Sequence, residues 1–181
     1  MTSDVTSLLD KYFSGASLQI IRTHGQLVAG LALEICERLG LPEEQRRFIE
    51  EASVVHDIGA CQVSAPEIGL NGVHPYILHG VLGREILERE GFELHALVCE
   101  RHIGVGLTVA DIVGQSLPLP HRDMTPQSLP EEIICFADLF FSKRPEKMTK
   151  RKDVASVRQG LKKFGEQKVQ IFDKWCRTFL P

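Results

Sequence analysis

Apolar residues recur at every third or fourth position along most of this chain, and no stretch alternates apolar and polar residues as a half-buried strand would. That period restricts the chain to packed helices. In "SLQIIRTHGQLVAGLALEICERLG" the stripe Ile20, His24, Leu27, Leu31, Ile35 and Leu39 keeps helical spacing, and Gly40 can end the helix. Pro42 opens a second helix, "PEEQRRFIEEASVVHDIG", with acids in its first turn and Gly59 as its stop. Residues 60–75, rich in glycine and proline, read as an irregular loop. "PYILHGVLGREILEREG" resumes the helical period with His79, Leu82, Gly83 and Ile86 on one side, and "ELHALVCERHIG" carries His95, Val98, Cys99 and His102 along one face. A proline-bearing connection over roughly 104–128 follows, with a helical turn near "TVADIVG". Ser128 and Glu131 form a capping box for "SLPEEIICFADLFF". Asp153 can cap "VASVRQGLKKFG", and Val169, Phe172, Trp175 or Cys176, and Phe179 give a last helix its buried stripe. The expected fold is all-α, one domain over residues 1–181, with a core over about 17–142 and C-terminal helices over about 153–180.

Composition excludes several classes. At 181 residues the chain can bury a substantial core, and 43% hydrophobic with 25% charged residues is an ordinary globular mix. A net charge of −3 gives no general attraction to nucleic acid. The opening "MTSDVTSLLDKYF" lacks the basic and apolar regions of a signal peptide, and no apolar run approaches the roughly 18 residues of a membrane span. Five scattered cysteines (Cys36, Cys61, Cys99, Cys135 and Cys176) form no CxxC pair, which favours reduced thiols over a disulfide framework. A cytoplasmic protein is expected.

What the helical reading leaves unexplained is polar. His24, His56, His79 and His102 each lie on or beside an apolar stripe, Asp57 adjoins His56, and Asp138 sits inside "IICFADLFF". Singly, each is a hydrogen-bonded core group. Six such residues on five successive helical segments would each carry a desolvation cost if unpaired. A shared metal centre accounts for all of them together, and an all-nitrogen-and-oxygen donor set suits iron, manganese, zinc, cobalt or nickel.

The ordered set His24, His56–Asp57 within "HDIG", His79, His102 and Asp138 resembles the HD-domain superfamily of metal-dependent phosphohydrolases, in particular its dinuclear "HDIG" branch. The stretch "VHPYILHGVLGREILEREGFELHALVCERHIGVGL" is similar to bacterial and archaeal members of that branch. The resemblance implies a helical bundle and two divalent transition metals. His24, His56, Asp57 and Asp138 would surround one, His79 and His102 would hold the other, and the Asp57 carboxylate would bridge them. Asp57 and His56 then become the central catalytic pair of an enzyme attacking a small phosphorylated substrate (a phosphomonoester, nucleotide or phosphodiester) with metal-activated hydroxide. Two other classes use the same pattern: a mixed-valence di-iron oxygenase on this scaffold, and a ligand-sensing module without turnover.

Departures narrow the substrate. The lysine that many phosphodiesterase relatives carry directly after "HDxG" is Ala60 here, and the "GYP" signature of cyclic-dinucleotide phosphodiesterases is absent, since "HIGVGL" runs into "TVAD". Arg101 beside His102, and Arg122 with His121 in "LPLPHRDMTP", are therefore the expected phosphate contacts, with His74 at the pocket mouth. Lys143–Arg144 in "FFSKRPEK" could also meet phosphate, although a solvated surface charge is the favoured reading of Lys143; His95 reads as a histidine outside the site, and Cys61 as the rival nucleophile.

Overall fold

The long apolar stripes fold as the spacing predicts, with one systematic offset. In this computed structural model, which describes residues 4–181, the chain order is α1 (Leu8–Tyr12), α2 (Gly15–Leu39), α3 (Glu43–Val55), α4 (His79–Arg89), α5 (Glu93–Arg101), α6 (Val109–Gly114), α7 (Leu129–Asp138), α8 (Val154–Leu161) and α9 (Glu166–Phe179). The fold is all-α. On α2 the fully buried face is Ile21, His24, Val28, Leu31, Ala32 and Ile35, so Ile20, Leu27 and Leu39 flank the stripe instead of centring it. Gly40 ends the helix in the left-handed conformation (φ 64°), its amide bonded to the carbonyls of Cys36 and Glu37.

Helix α3 stops at Val55, four residues before the expected glycine, because His56 and Asp57 turn the chain into a 3-10 turn over Ile58–Gln62. Gly59 has another task. A Cβ there would lie 2.0 Å from the His79 carbonyl oxygen and 2.3 Å from the Gly83 amide nitrogen, so only glycine lets the first turn of α4 rest on this segment. Gly83 repeats the device on the other side, where a Cβ would meet Cys99 Sγ of α5 at 2.1 Å. These two contacts bring the start of α4 and the end of α5 down onto the "HDIG" turn.

The loop expected over residues 60–75 is more ordered than its composition suggests. It contains β1 (Ser64–Ala65) paired antiparallel with β2 (Leu70–Asn71), Ser64 opposite Asn71 and Ala65 opposite Leu70. Two-residue strands leave no alternation to read. At α7, Ser128 accepts from the Glu131 amide as expected, but the Glu131 carboxylate reaches back to the Gln127 amide (2.9 Å), one residue outside the box. Asp153 caps α8 through the Ser156 amide.

On α9 the buried residues are Val169, Phe172, Trp175 and Phe179, which decides between Trp175 and Cys176. Phe172 stacks on Phe136 of α7 and Phe179 meets it edge-on, at 5.6 and 5.4 Å between ring centroids. Each such burial is worth about 1.5–3 kcal/mol, and it fixes the outer face of α7 so that Asp138 points inward. Two large apolar clusters result, beside a smaller one of Val81, Ile112, Leu119 and Met124. One of the large two gathers Val28, Val98, Ile134 and the α9 aromatics, the other Ile21, Val55, Ile58, Leu82 and Cys99. His24 lies between Ile21 and Val28 on α2, so the polar residues occupy the seam where the clusters meet. Among the described residues no helix is long and apolar enough to cross a membrane.

Candidate metal centre

Each of the six side chains comes from the end of an element or from a seam position, which is why they converge. His24 projects from mid-α2, His56 and Asp57 from the turn after α3, His79 from the first residue of α4, His102 from the residue after α5, and Asp138 from the last residue of α7. All four histidines and Asp57 are at most 4% exposed.

The imidazoles are locked by their backbones. His56 Nδ1 donates to the Ser53 carbonyl (2.6 Å), His79 Nδ1 to that of Tyr76 (2.7 Å) and His102 Nδ1 to that of Cys99 (2.7 Å), each three residues back. With Nδ1 committed to a carbonyl, each Nε2 points inward, where it can meet a cation or, on His56, hold a proton. Asp57 then faces two ways. Its Oδ1 lies 3.5 Å from Nε2 of both His79 and His102, and its Oδ2 lies 3.1 Å from His56 Nε2 and 3.4 Å from His24 Nε2. Asp138 Oδ1 closes the second group, 2.9 Å from His24 Nε2 and 3.5 Å from His56 Nε2.

His24 Nε2 and Asp138 Oδ1 are hydrogen-bonded, but the rest of the cluster is not satisfied from within. Both Asp57 oxygens and His56 Nε2 are buried without a hydrogen-bond partner. His79 Nε2 and His102 Nε2 stand 3.1 Å apart with both Nδ1 donors already committed, so two lone pairs confront each other. Such an arrangement is repulsive unless a cation or a proton lies between them. The donor atoms of His24, His56 and Asp138, and those of His56, Asp57 and His102, lie mutually within 4.8 Å, a spacing that could hold a metal ion.

The electrostatics tell the same story. Burial works against a charge on His56, yet Asp57 and Asp138 outweigh it and hold the imidazolium up to about 10. Burial, reinforced by His102, pushes His79 down to about 3. Asp57 and Asp138 stay well below the ordinary carboxylate range despite burial, because His56 and Lys143 stand beside them. In effect an imidazolium and an ammonium balance two buried carboxylates, and a divalent cation would do so while displacing the proton.

With that geometry in view, the comparison with known proteins is decisive at the level of family: residues 21–141 match the family model described as HD domain. The chain belongs to the HD-domain family. Relatives of this HD domain include an uncharacterised protein of Methanocaldococcus jannaschii, 40% identical over 102 residues, covering 55% of this chain and 53% of that protein. A tRNA (cytidine(56)-2'-O)-methyltransferase of Thermoplasma volcanium is 32% identical over 136 residues, covering 75% of this chain and 35% of the enzyme. The matched stretches thus span about half the length of these curated relatives or less. Among solved structures, the HD domain of the L. monocytogenes phosphodiesterase PgpH superposes with a TM-score of 0.57 at 17% identity, covering 92% of this chain and 93% of that one.

The other candidates of this HD domain lie apart from the cluster. Arg101 Nη1 is held by both Glu131 oxygens at 3.2 and 3.1 Å. Arg122 pairs with Glu100 through Nε at 3.0 Å and through Nη2. Both guanidiniums therefore close on carboxylates. His74 joins the edge of the small ribbon, its amide bonded to the Gln62 carbonyl, and His121 is exposed. His95 sits between Phe48 and Phe92, outside the centre.

Lys143 is the residue that sequence reading placed wrongly. Far from solvated, its side chain is 15% exposed and its Nζ lies 2.7 Å from Asp57 Oδ2, at ion-pair distance but without hydrogen-bond alignment. Burial opposes its charge, yet Asp57 raises its pKa above the usual lysine value. The signal was its position, five residues past Asp138 on the segment leaving α7.

Proposed function

We propose that this HD domain is a metal-dependent phosphohydrolase acting on a small phosphorylated substrate at a dinuclear His/Asp centre. One observation carries the reading: Asp57 turns one oxygen to His79 and His102 and the other to His24, His56 and the neighbourhood of Asp138. A carboxylate with imidazoles on both sides would be able to help hold a cation on each oxygen. Bound there, two divalent metals would supply an acidified water as nucleophile and neutralise phosphoryl oxygens.

The rest is the work of the chain. The backbone carbonyls of Ser53, Tyr76 and Cys99 hold three imidazoles in one tautomer, so Nε2 is available without reorganisation. Burial excludes bulk water from the carboxylates. A thiol route has little support: burial pushes Cys61 up to about 11, leaving it protonated at neutral pH, and Cys99 donates its S–H to the His56 carbonyl at 2.8 Å. Methyl transfer is not carried over from the archaeal relatives, whose matched part is about a third of the enzyme or less.

Metal analysis of anaerobically purified protein followed by a phosphatase panel tests the proposal. The expected result is close to two transition metals per chain and hydrolysis of a phosphate ester. At most one metal, with no second site on adding manganese or iron, sinks the dinuclear centre. A mixed-valence di-iron resonance with oxygen-dependent turnover and no phosphatase activity would transfer the site to oxygenase chemistry, and metal without any turnover would make it a sensing module.

A further inference from the structure

A phosphoryl group held by a His/Asp metal cluster still has oxygens facing away from that cluster, and in a partly dry site these require donors. Position 60 offers only alanine, and Arg101 and Arg122 are engaged by Glu131 and Glu100. Lys143 differs, because its ammonium already reaches Asp57.

Three groups claim Asp57 Oδ2: Lys143 Nζ at 2.7 Å, His56 Nε2 at 3.1 Å and His24 Nε2 at 3.4 Å. A carboxylate oxygen has about two lone pairs. A metal shared by His24, His56 and this oxygen competes with the ammonium for those lone pairs and repels it. The side chain also borders a cavity of about 210 Å³ lined by Glu67, Ile68, Tyr76, Lys143 and Arg144. That volume lies below the roughly 300 Å³ at which pockets for drug-sized ligands begin. It suits a phosphoryl group with a small substituent.

We infer that Lys143 holds the substrate's phosphoryl group over the His/Asp cluster, exchanging Asp57 for phosphate when a metal occupies that oxygen, and that the substrate is a small phosphomonoester entering beside Tyr76. The inference rests on the phosphohydrolase reading above. Its distinctive consequence is that one substitution moves two affinities in opposite directions.

The experiment is calorimetric titration of the wild type, Lys143→Met and Lys143→Arg with manganese, and of the manganese-loaded proteins with inorganic phosphate. Lys143→Met should bind manganese more tightly, having lost a competing cation, and phosphate about ten-fold or more weakly, having lost a charge-assisted contact. Lys143→Arg should restore part of the phosphate affinity. In turnover, Lys143→Met should raise KM for a small phosphomonoester more than it lowers kcat. A purely structural lysine would instead weaken manganese and phosphate together, with a lower melting temperature. If Lys143→Met does not fold, Lys143→Gln carries the same comparison. Unchanged phosphate affinity in the charge-removing variant overturns the role of Lys143 while leaving the phosphohydrolase reading intact. A loaded wild type that binds no phosphate overturns both, and faster turnover of a cyclic dinucleotide than of a small monoester overturns the size assignment.

Discussion

Asp57 and Glu100 are both buried carboxylates, 1% and 2% exposed, yet the protein treats them in opposite ways. Glu100 accepts from Arg84 Nη1 at 2.6 Å on one oxygen and from Arg122 on the other, so its charge is met entirely by the fold. Asp57 has no aligned hydrogen bond on either oxygen: imidazole Nε2 atoms stand 3.1 to 3.5 Å away, and the one ammonium lies out of hydrogen-bond alignment. A buried charge with its full complement of donors is a structural element. One left without aligned donors is built for something the chain does not supply. The contrast separates a site from a scaffold without reference to any relative.

The largest expected effect comes from removing the unsatisfied carboxylate. On the proposed dinuclear reading, in which each half of the centre would use one of its oxygens, Asp57→Ala should lose both metals, and kcat should fall by on the order of 10⁴, as for residues that act as a unit. Metal analysis checks it. If one metal remained at full occupancy, Asp57 would not be the bridge. The matching substitution in the satisfied region is Glu100→Ala. It leaves Arg122 without this carboxylate and Arg84 with Glu88 alone, and breaking a buried pair costs about 3–5 kcal/mol; the half-exposed Arg122 and the retained Glu88 place this case at the lower end. Urea unfolding should show that loss with metal content unchanged. Were metal content to fall as well, the two regions would be coupled and the distinction would blur.

Chelation sharpens the same comparison at a smaller scale. A metal at about 100-fold over its dissociation constant stabilises the fold by about 2.7 kcal/mol per site. Stripping it should therefore lower the melting temperature of the wild type and of Glu100→Ala by similar amounts, because the two sites share no partner. A melting curve that does not move after confirmed metal loss would mean the cluster satisfies itself.

The two regions were not equally legible in the sequence. Helical spacing located α2, α4, α5, α7 and α9, and the six candidate ligands were legible because each is a polar group on or beside an apolar stripe. Spacing placed the buried face of α2 about one residue off, since adjacent apolar pairs such as Ile20–Ile21 and Leu27–Val28 leave the centre of the stripe undefined. Partner choice was not legible at all. Arg101 and Arg122 look as available as Lys143 in a linear chain. Only the fold brings Glu131 and Glu100 against the first two and leaves Lys143 beside Asp57. Likewise the early end of α3 follows from how closely α4 packs on Gly59, a tertiary contact with no local cue.

The smallest effect tests histidine against histidine. His95 is partly buried, less deeply than the candidate histidine ligands, and sits between Phe48 and Phe92 at 4.9 and 5.5 Å, with Glu51 Oε2 3.6 Å from its Nε2, too far for a hydrogen bond. Burial lowers its pKa below the ordinary 6.5, with Glu51 only partly opposing. In the unfolded chain the same imidazole takes up its proton near 6.5, so the unfolded state binds more protons as the pH falls. The stability His95 contributes is therefore present above that pH and is lost as the pH drops through the folded value. Removing it with His95→Gln should leave metal content untouched and flatten this acid-side loss. The wild-type advantage over the variant, read from urea midpoints, should shrink between about pH 7.5 and about pH 5. An advantage that grew on acidification would mean that Glu51 outweighs burial and that His95 is a paired cation. A loss of metal would bring it back into the centre, and the line between scaffold and site would have to be redrawn there.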